Sequence, residues 1–104
     1  MSVRHALLAL LSEGPKYGLR LREEFEAGTG EVWPLNIGQV YTTLQRLERD
    51  GLIESEWKEA DTGRERKYYF ISTDGRRALK TERRQWLAVH NSLCKLWKIK
   101  PVSI

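Results

Sequence analysis

Residues 36–72 read NIGQVYTTLQRLERDGLIESEWKEADTGRERKYYFIS, and this stretch decides the fold. Its first part has apolar side chains on one side of a helical projection and short polar or basic side chains on the other. This pattern predicts an amphipathic helix over residues 36–50. The apolar positions are Ile37, Val40, Leu44 and Leu47. Gly51 is typical of the residue that follows a helix, because glycine readily adopts the left-handed conformation used there.

The second part of the stretch predicts a β-hairpin. Side chains alternate, though imperfectly, over residues 53–59 and again over residues 67–72, which is the period of a strand. Residues 61–66 form a basic tip, in which Gly63 permits a tight turn. Such a helix fits the major groove of a duplex, and a basic hairpin beside it can contact the neighbouring backbone.

Helical spacing and capping residues also predict two helices before this unit and one after it. They lie at about residues 2–12, 16–26 and 73–98. We therefore predict an α+β fold: a winged helix-turn-helix of three helices and a two-stranded wing, followed by a long C-terminal helix. The predicted DNA-binding domain covers residues 1–72, and the C-terminal helix with a short tail covers residues 73–104.

The charge of the chain favours a polyanionic partner. Its formal net charge is +4, and residues 64–84 contain eight Lys/Arg against three acids. Such a run is usually a solvated face, but its position on and after the hairpin favours a duplex. The single cysteine excludes an intrachain disulfide and favours a reducing compartment. The N-terminal apolar run is too short for a signal peptide or a membrane span, so we expect a cytoplasmic protein with no membrane partner.

The C-terminal helix predicts a homodimer. Leu79, Trp86, His90, Leu93 and Trp97 are separated by seven, four, three and four residues, which is an a/d-like seam. A domain of this size cannot cover so broad an apolar face. The helix should therefore pair with its twin in a second subunit.

Two sets of side chains are predicted to contact double-stranded DNA. On the helix over residues 36–50, Gln39 can read an adenine edge, Arg46 can reach a guanine or a phosphate, and short threonines let the helix approach the bases. Basic side chains of the wing bind phosphate, and the start of the second helix touches the backbone. The predicted DNA-binding residues are Lys16, Tyr17, Asn36, Gln39, Tyr41, Thr42, Thr43, Arg46, Arg64, Arg66 and Lys67.

Three motifs, in this order, resemble PadR-family transcriptional regulators. They are ALLALL followed by GPKYG within residues 6–18, GQVYTTLQRLERDGLI at 38–53, and RERKYYFISTDG at 64–75. The resemblance covers about residues 3–80, and the single C-terminal helix fits the short subgroup of the family. The resemblance implies ligand-responsive repression of transcription by a homodimer on a two-fold symmetric operator.

The chain has four tryptophans, which is many for its length. We expect Trp33 and Trp57 to pack around the winged domain. Trp86 and Trp97, with His90 between them, serve either dimer packing or a flat pocket at the dimer centre. Such a pocket stacks planar or aromatic effectors, as in some members of the family.

His90 and Cys94 have the i, i+4 spacing of a pair that can chelate a soft metal. A histidine and a cysteine on an apolar stripe more often belong to the core, so no metal site and no cofactor are predicted. The sequence shows no phosphate-binding glycine loop, Cys-x-x-Cys pair or catalytic triad context, so we do not expect an enzyme. The alternative function is a winged-helix protein–protein interaction module without sequence-specific DNA binding.

Overall fold

The computed structural model describes residues 3–29, 37–59 and 61–101. Its elements, in chain order, are α1 (Val3–Leu11), β1 (Lys16–Tyr17), α2 (Gly18–Thr29), α3 (Ile37–Arg49), β2 (Ile53–Glu59), β3 (Glu65–Ile71) and α4 (Thr73–Trp97). The predicted α+β winged-helix fold is confirmed, because three helices and an antiparallel sheet precede one long helix. Asn36 and Trp33, for which the sequence made predictions, lie outside the described residues.

The wing is an in-register hairpin of β2 and β3. The two strands pair antiparallel from Ile53 opposite Ile71 to Glu59 opposite Glu65, so β3 begins two residues before the predicted strand. Gly63 has a φ of 80°, a conformation that side-chain-bearing residues rarely adopt, so the sequence correctly marked the turn.

The sheet has a third strand that the sequence did not reveal. β1 pairs with the free side of β3, with Lys16 opposite Tyr69 and Tyr17 opposite Tyr68. The prediction that the second helix begins at Lys16 is therefore wrong, and α2 begins at Gly18. A strand of two residues has no sequence period of its own, and its pairing with β3 determines its conformation.

One hydrophobic core joins the first three helices to the sheet. Its members are Leu7, Leu8, Leu11, Leu21, Phe25, Val40, Leu44, Leu47, Ile53, Tyr69 and Ile71. Burial of each large apolar side chain contributes about 1.5–3 kcal/mol to folding. The core holds one face of α3 and leaves the opposite face in solvent.

The end of α3 determines how the wing leaves it. Gly51, with a φ of 75°, donates its N–H to the Glu48 carbonyl at 3.0 Å, and Leu52 donates to the Leu47 carbonyl at 2.9 Å. This is the Schellman arrangement, which terminates a helix and turns the chain. β2 therefore starts two residues after the turn, at Ile53.

The start of α4 is fastened to the same turn. Ser72 caps α4: its Oγ accepts from the Gly75 N–H at 3.0 Å and donates to the Gly51 carbonyl at 2.7 Å. A Cβ at Gly75 would collide with the Leu52 carbonyl oxygen. Glycine thus allows the first turn of α4 to sit directly against the end of α3.

The far end of α4 terminates on a non-glycine residue. Lys98 has a φ of 58° and donates its N–H to the carbonyls of Cys94 and Lys95, while Ile99 donates to the Cys94 carbonyl at 3.0 Å. The helix of 25 residues is about 37 Å long at 1.5 Å per residue. Within the three described ranges, no helix has both the length and the apolarity needed to cross a membrane.

The prediction that Trp57 packs around the winged domain is wrong. Its side chain is 66% exposed. Ile53 starts the same strand and is buried in the core, but β2 runs outward from the helices toward the tip. At the position of Trp57, none of the described helices covers that face of the strand.

Candidate nucleic-acid interface

α3 presents a surface suited to reading a duplex. Val40 and Leu44 face the core, whereas Gln39, Thr42 and Arg46 are exposed. These three predicted contact residues line one shallow furrow on the outside of the helix. A solvent-facing helix with hydrogen-bonding side chains of this kind can enter the major groove.

Thr43 lies at the border of this surface rather than in its middle. It is half-buried and shares the furrow with Val3, in the first turn of α1. The furrow continues past Arg46 to Arg4 and Arg49. The first turn of α1 therefore belongs to the candidate interface, which the sequence analysis missed because only the tertiary packing brings α1 beside α3.

Two further exposed residues of α3 were missed as well. Gln45 and Arg49 are exposed and lie roughly opposite Val40 and Leu44 at 100° per residue. Arg49 is held only loosely, with its Nε 3.5 Å from the Asp50 carboxylate. A helical projection centred on the buried residues of α3 predicts that Gln45 and Arg49 are exposed, because the exposed face of a helix lies opposite its buried face.

Tyr41 positions α3 against the start of α2. Its ring lies so close to Gly18 that a Cβ there would approach Tyr41 Cε1 to 2.6 Å. The side chain nevertheless remains partly exposed. The predicted DNA-contact residue thus also sets how α3 lies across the first turn of α2.

The base of the wing is tied to α3. Ser55 of β2 donates its hydroxyl to Glu48 Oε1 of α3 at 2.8 Å. Tyr69 of β3 lies beneath this contact. Its burial, and then the neighbouring Glu48 and Tyr41, raise the pKa of the Tyr69 hydroxyl above its ordinary value. These contacts hold the hairpin and α3 in a fixed relation.

The basic residues of the wing point in different directions. Arg64 is exposed at the tip. The Arg66 guanidinium lies 4.4 Å from the centroid of the Tyr17 ring, and Lys67 Nζ lies 5.6 Å from the centroid of the Tyr69 ring. Stacking of this kind orients a cation and leaves N–H groups available for phosphate.

Lys16 is not placed to contact a duplex. It is 5% exposed, and its Nζ lies 2.6 Å from Glu24 Oε2 and 3.1 Å from Glu13 Oε2. Burial by itself disfavours the ammonium, but the two carboxylates outweigh it, and the pKa of Lys16 is raised. The prediction of a phosphate contact overlooked these two acids, which lie three residues before and eight residues after Lys16 in the chain.

Tyr17 lies in β1 rather than at a helix N-terminus. Its ring meets the ring of Tyr68 edge-on, with centroids 5.6 Å apart and an angle of 82° between the planes. It also supports Arg66, as described above. Tyr17 is therefore half-buried and adjacent to a wing cation, and it orients that cation.

The predicted effector residues lie along the distal part of α4. The rings of Trp86 and His90 are stacked, with centroids 4.9 Å apart and an angle of 10° between them. Trp97 lies seven residues beyond His90 and is exposed. The Cys94 thiol is buried, with Sγ 3.6 Å from His90 Nε2.

The described residues contain no group of three or more His, Cys, Asp or Glu that could hold a metal ion. His90 and Cys94 thus remain a pair within one chain. Beside them, a groove of about 250 Å³ separates α1 from α4. Its walls are mostly apolar and include Ala6, Leu79 and Trp86, with His5 and Glu82 at one side.

Comparison with protein families gives one match over most of the chain. Residues 7–81 match the family described as transcriptional regulator PadR-like. A transcriptional regulator of Mycobacterium tuberculosis is 37% identical over 83 residues, which are 80% of this chain and 74% of that protein. The negative transcriptional regulator PadR of Bacillus subtilis is 28% identical over 91 residues, which are 88% of this chain but 48% of that protein.

A solved structure has the same fold. The PadR-like transcriptional regulator of Bacillus cereus superposes with a TM-score of 0.83 and 24% identity, covering 94% of this chain and 93% of that chain. The match includes most of the described length, so α4 as well as the winged domain follows the fold of that regulator.

Proposed function

The chain belongs to the PadR-like family of transcriptional regulators, and we propose that it is a homodimeric, ligand-responsive repressor that binds a two-fold symmetric operator. The family consists of DNA-binding regulators rather than enzymes. The dimer and the effector are supported by the surfaces described above, and repression is supported by the name of a relative.

The main support for DNA binding is that α3 and the wing tip are both exposed to solvent. Gln39, Thr42 and Arg46 present donors and acceptors on one side of α3, and Arg64 is exposed at the end of a hairpin fixed to that helix. The helix can read base edges in the major groove while the wing neutralises phosphates of the backbone. Arg49, at the end of α3, and the first turn of α1 extend the basic surface.

The exposed apolar face of α4 supports a dimer. Val89, Leu93, Leu96 and Trp97 are all exposed in the single chain. Monomeric proteins rarely expose an apolar surface of this kind, and a second copy of α4 would cover it with matching side chains. A two-fold pair of reading helices then requires a two-fold symmetric operator.

Repression is supported by a relative's name, and effector binding is supported by aromatic side chains of α4. A dimer bound across an operator obstructs transcription, and the Bacillus subtilis relative is named as a negative regulator. The stacked pair Trp86 and His90, with Trp97 on the same helix, offers flat aromatic surfaces. Such surfaces bind planar or aromatic molecules, which makes these residues the proposed effector site.

Selection of bound sequences from random duplex DNA tests the proposal. We expect a two-fold symmetric motif, and affinity that falls with salt by about 0.9 logarithmic units per decade for each phosphate contacted. Arg46→Ala should weaken binding to that motif by about 10-fold or more, because one bidentate base contact contributes about 1–3 kcal/mol. Gln39→Ala should relax the preference at one base position.

A matched control is Lys95→Ala, which removes one positive charge from an exposed position of α4, outside the basic run of residues 64–84 and on the side opposite Leu93. It should bind like the wild type. If Arg46→Ala and Gln39→Ala both keep wild-type affinity in a gel-shift titration, α3 is not the reading helix. Absence of any salt-sensitive duplex binding would instead favour the protein–protein interaction module.

A further inference from the structure

Within the described residues, α4 makes polar contacts to the winged domain at two places along its length, and Leu79 packs against the core between them. The first is its N-terminus, where Ser72 caps the helix and Gly75 lies against the Leu52 carbonyl. The second is Glu82, ten residues after the cap and therefore about 15 Å further along the helix. A joint at one place would let the helix swing, whereas two places fix its direction.

Glu82 of α4 contacts α1 through both of its carboxylate oxygens. Its side chain is 15% exposed, and its Oε1 accepts a hydrogen bond from Arg4 Nε at 3.1 Å. Its Oε2 is buried and lies 3.3 Å from His5 Nε2, within ion-pair distance but outside hydrogen-bond geometry. Loss of these partners would leave a largely buried carboxylate without compensation for its lost hydration, so breaking the contact to α1 is unfavourable.

Arg4 extends this connection to the reading helix. Its Nη1 lies 3.7 Å from Asp50 Oδ2, in the residue directly after α3. Asp50 also receives the loose contact from Arg49. One guanidinium of α1 thus joins the end of α3 to the middle of α4. The contact to Asp50 is the weaker of the two, because both of its side chains are about 40% exposed.

Beyond Glu82 the helix leaves the winged domain. Trp86 and Leu87 still border the groove beside α1, but Val89, Leu93 and Leu96 are exposed. The direction of this free half relative to α3 therefore depends on the anchor. A swing of about 10° at Glu82 moves Leu93, about 16 Å further along, by about 3 Å, which is close to one base-pair step.

We propose that Arg4 and Glu82 are positioning residues that set the angle between α3 and α4 and thereby the half-site spacing that the dimer accepts. This inference rests on the proposed function, since it requires a dimer that reads two half-sites. Recognition helices of such dimers must fall about one helical turn of DNA apart, 34–36 Å. A fixed angle makes the protein selective for one separation, whereas a loose joint tolerates several.

The test measures binding to the selected operator and to versions whose half-sites are moved apart or together by one and two base pairs. Binding to a single half-site is measured beside them. For the wild type we expect at least a 10-fold loss when the spacing changes by one base pair. For Glu82→Met we expect less than a 3-fold loss, with half-site affinity within 2-fold of the wild type. Methionine keeps the length and helix propensity of glutamate but cannot hold Arg4.

Glu82 is the decisive position because Arg4 borders the furrow beside α3 and could contact DNA directly. Arg4→Met should flatten the spacing preference in the same way, whatever it does to half-site affinity. Glu82→Gln keeps an acceptor for Arg4 Nε and should retain part of the preference, which a purely stabilising role would not predict. If Glu82→Met does not fold by circular dichroism, Arg4→Met and Glu82→Gln decide the question.

The matched control is Arg22→Met. It removes an Arg Nε to Glu Oε1 contact of the same 3.1 Å length, to Glu26, that lies wholly within α2. Its spacing profile should equal that of the wild type. A Glu82→Met protein with intact half-site binding and an unchanged spacing profile would overturn the inference while leaving the proposed function standing. A wild type that binds no duplex would remove both.

Discussion

α3 and the distal half of α4, residues 86–97, are both amphipathic, but they use their apolar faces differently. Val40, Leu44 and Leu47 of α3 are at most 1% exposed, because the sheet and two helices cover them. Leu96 and Trp97 of α4 are 76% and 66% exposed. The apolar face of α3 is thus buried within the chain, whereas the apolar face of distal α4 is exposed.

The difference separates two kinds of information in an amphipathic helix. Its apolar face shows that a partner is needed, but the partner is found only by asking what the fold has left to cover it. In α3 the covered face fixes the helix, so the polar face can serve recognition. In α4 the polar face is ordinary solvent-facing surface, and the apolar face is available for a second copy.

Leu44→Ala should have the largest effect and lies on the covered side of this comparison. Removal of a fully buried leucine side chain costs about 2–5 kcal/mol in the free energy of unfolding. Denaturant unfolding measures it, with the exposed neighbour Thr42→Ala as the control, for which we expect a change within about 0.5 kcal/mol. A cost below about 1 kcal/mol for Leu44→Ala would contradict the packing of α3.

Leu93→Glu tests the uncovered side. The substitution places two carboxylates in the proposed two-fold interface, and we expect the dimer dissociation constant to rise on the order of 100-fold, about 2.8 kcal/mol. Sedimentation velocity over a range of concentrations measures the change. Arg84→Ala, on the other side of α4, should leave it unaltered. A wild type that stays monomeric at all concentrations would show that some other partner covers this face.

Glu24→Gln should have a smaller effect, confined to the winged domain. The hydrogen bond from Lys16 lowers the pKa of Glu24 more than burial raises it, so the folded value lies below the ordinary 4.5. The resulting stabilisation is present above the ordinary pKa and is lost as the pH falls through the lower folded value. We expect the variant to be about 1–2 kcal/mol less stable at pH 7, because Glu24 is partly exposed.

The pH dependence of the stability difference between the wild type and Glu24→Gln provides a control. In acid, the wild type and Glu24→Gln should converge, since the wild-type carboxyl becomes neutral as well. At mildly alkaline pH the difference should persist, because the pKa of Lys16 is raised and the ammonium keeps its charge. A gap that stays constant down to strongly acidic pH would show that the ion pair is not its source.

Lys98→Gly should have the smallest effect and should act on the end of α4. Lysine adopts the left-handed conformation at a cost of about 1 kcal/mol, which glycine avoids, although glycine also loses more freedom on folding. We expect a net stabilisation below about 1 kcal/mol, measured as slower hydrogen exchange in the last turn. Amides of α3 should exchange as before. Faster exchange in the last turn would argue against this termination.

Features that depend on local periodicity could be predicted from the sequence. The bounds of β2, 53–59, agree with the prediction, and those of α3 and α4 agree within one residue at each end, because each element has its own spacing and stop residues. Gly51 also has its predicted role, since it acts within a few residues of its position.

Features that depend on how the elements pack against one another could not be predicted. Lys16 resembles a surface lysine until Glu13 and Glu24 are brought to it from the preceding turn and from α2. Trp57 resembles a core residue until the length of β2 carries it past the helices. Likewise, the spacing of charges along the chain gives no sign that Arg4 lies between Asp50 and Glu82.

The buried thiol of Cys94 allows local opening of the last turns of α4 to be measured by chemical labelling. It is the one sulfhydryl of the chain, and a disulfide reagent can reach it only while the final turns of α4 are open. The labelling rate therefore counts these openings without an engineered probe. If chains associate along α4 at higher protein concentration, these openings should become rarer. The labelling rate of Cys94 would then fall and report the lifetime of the dimer.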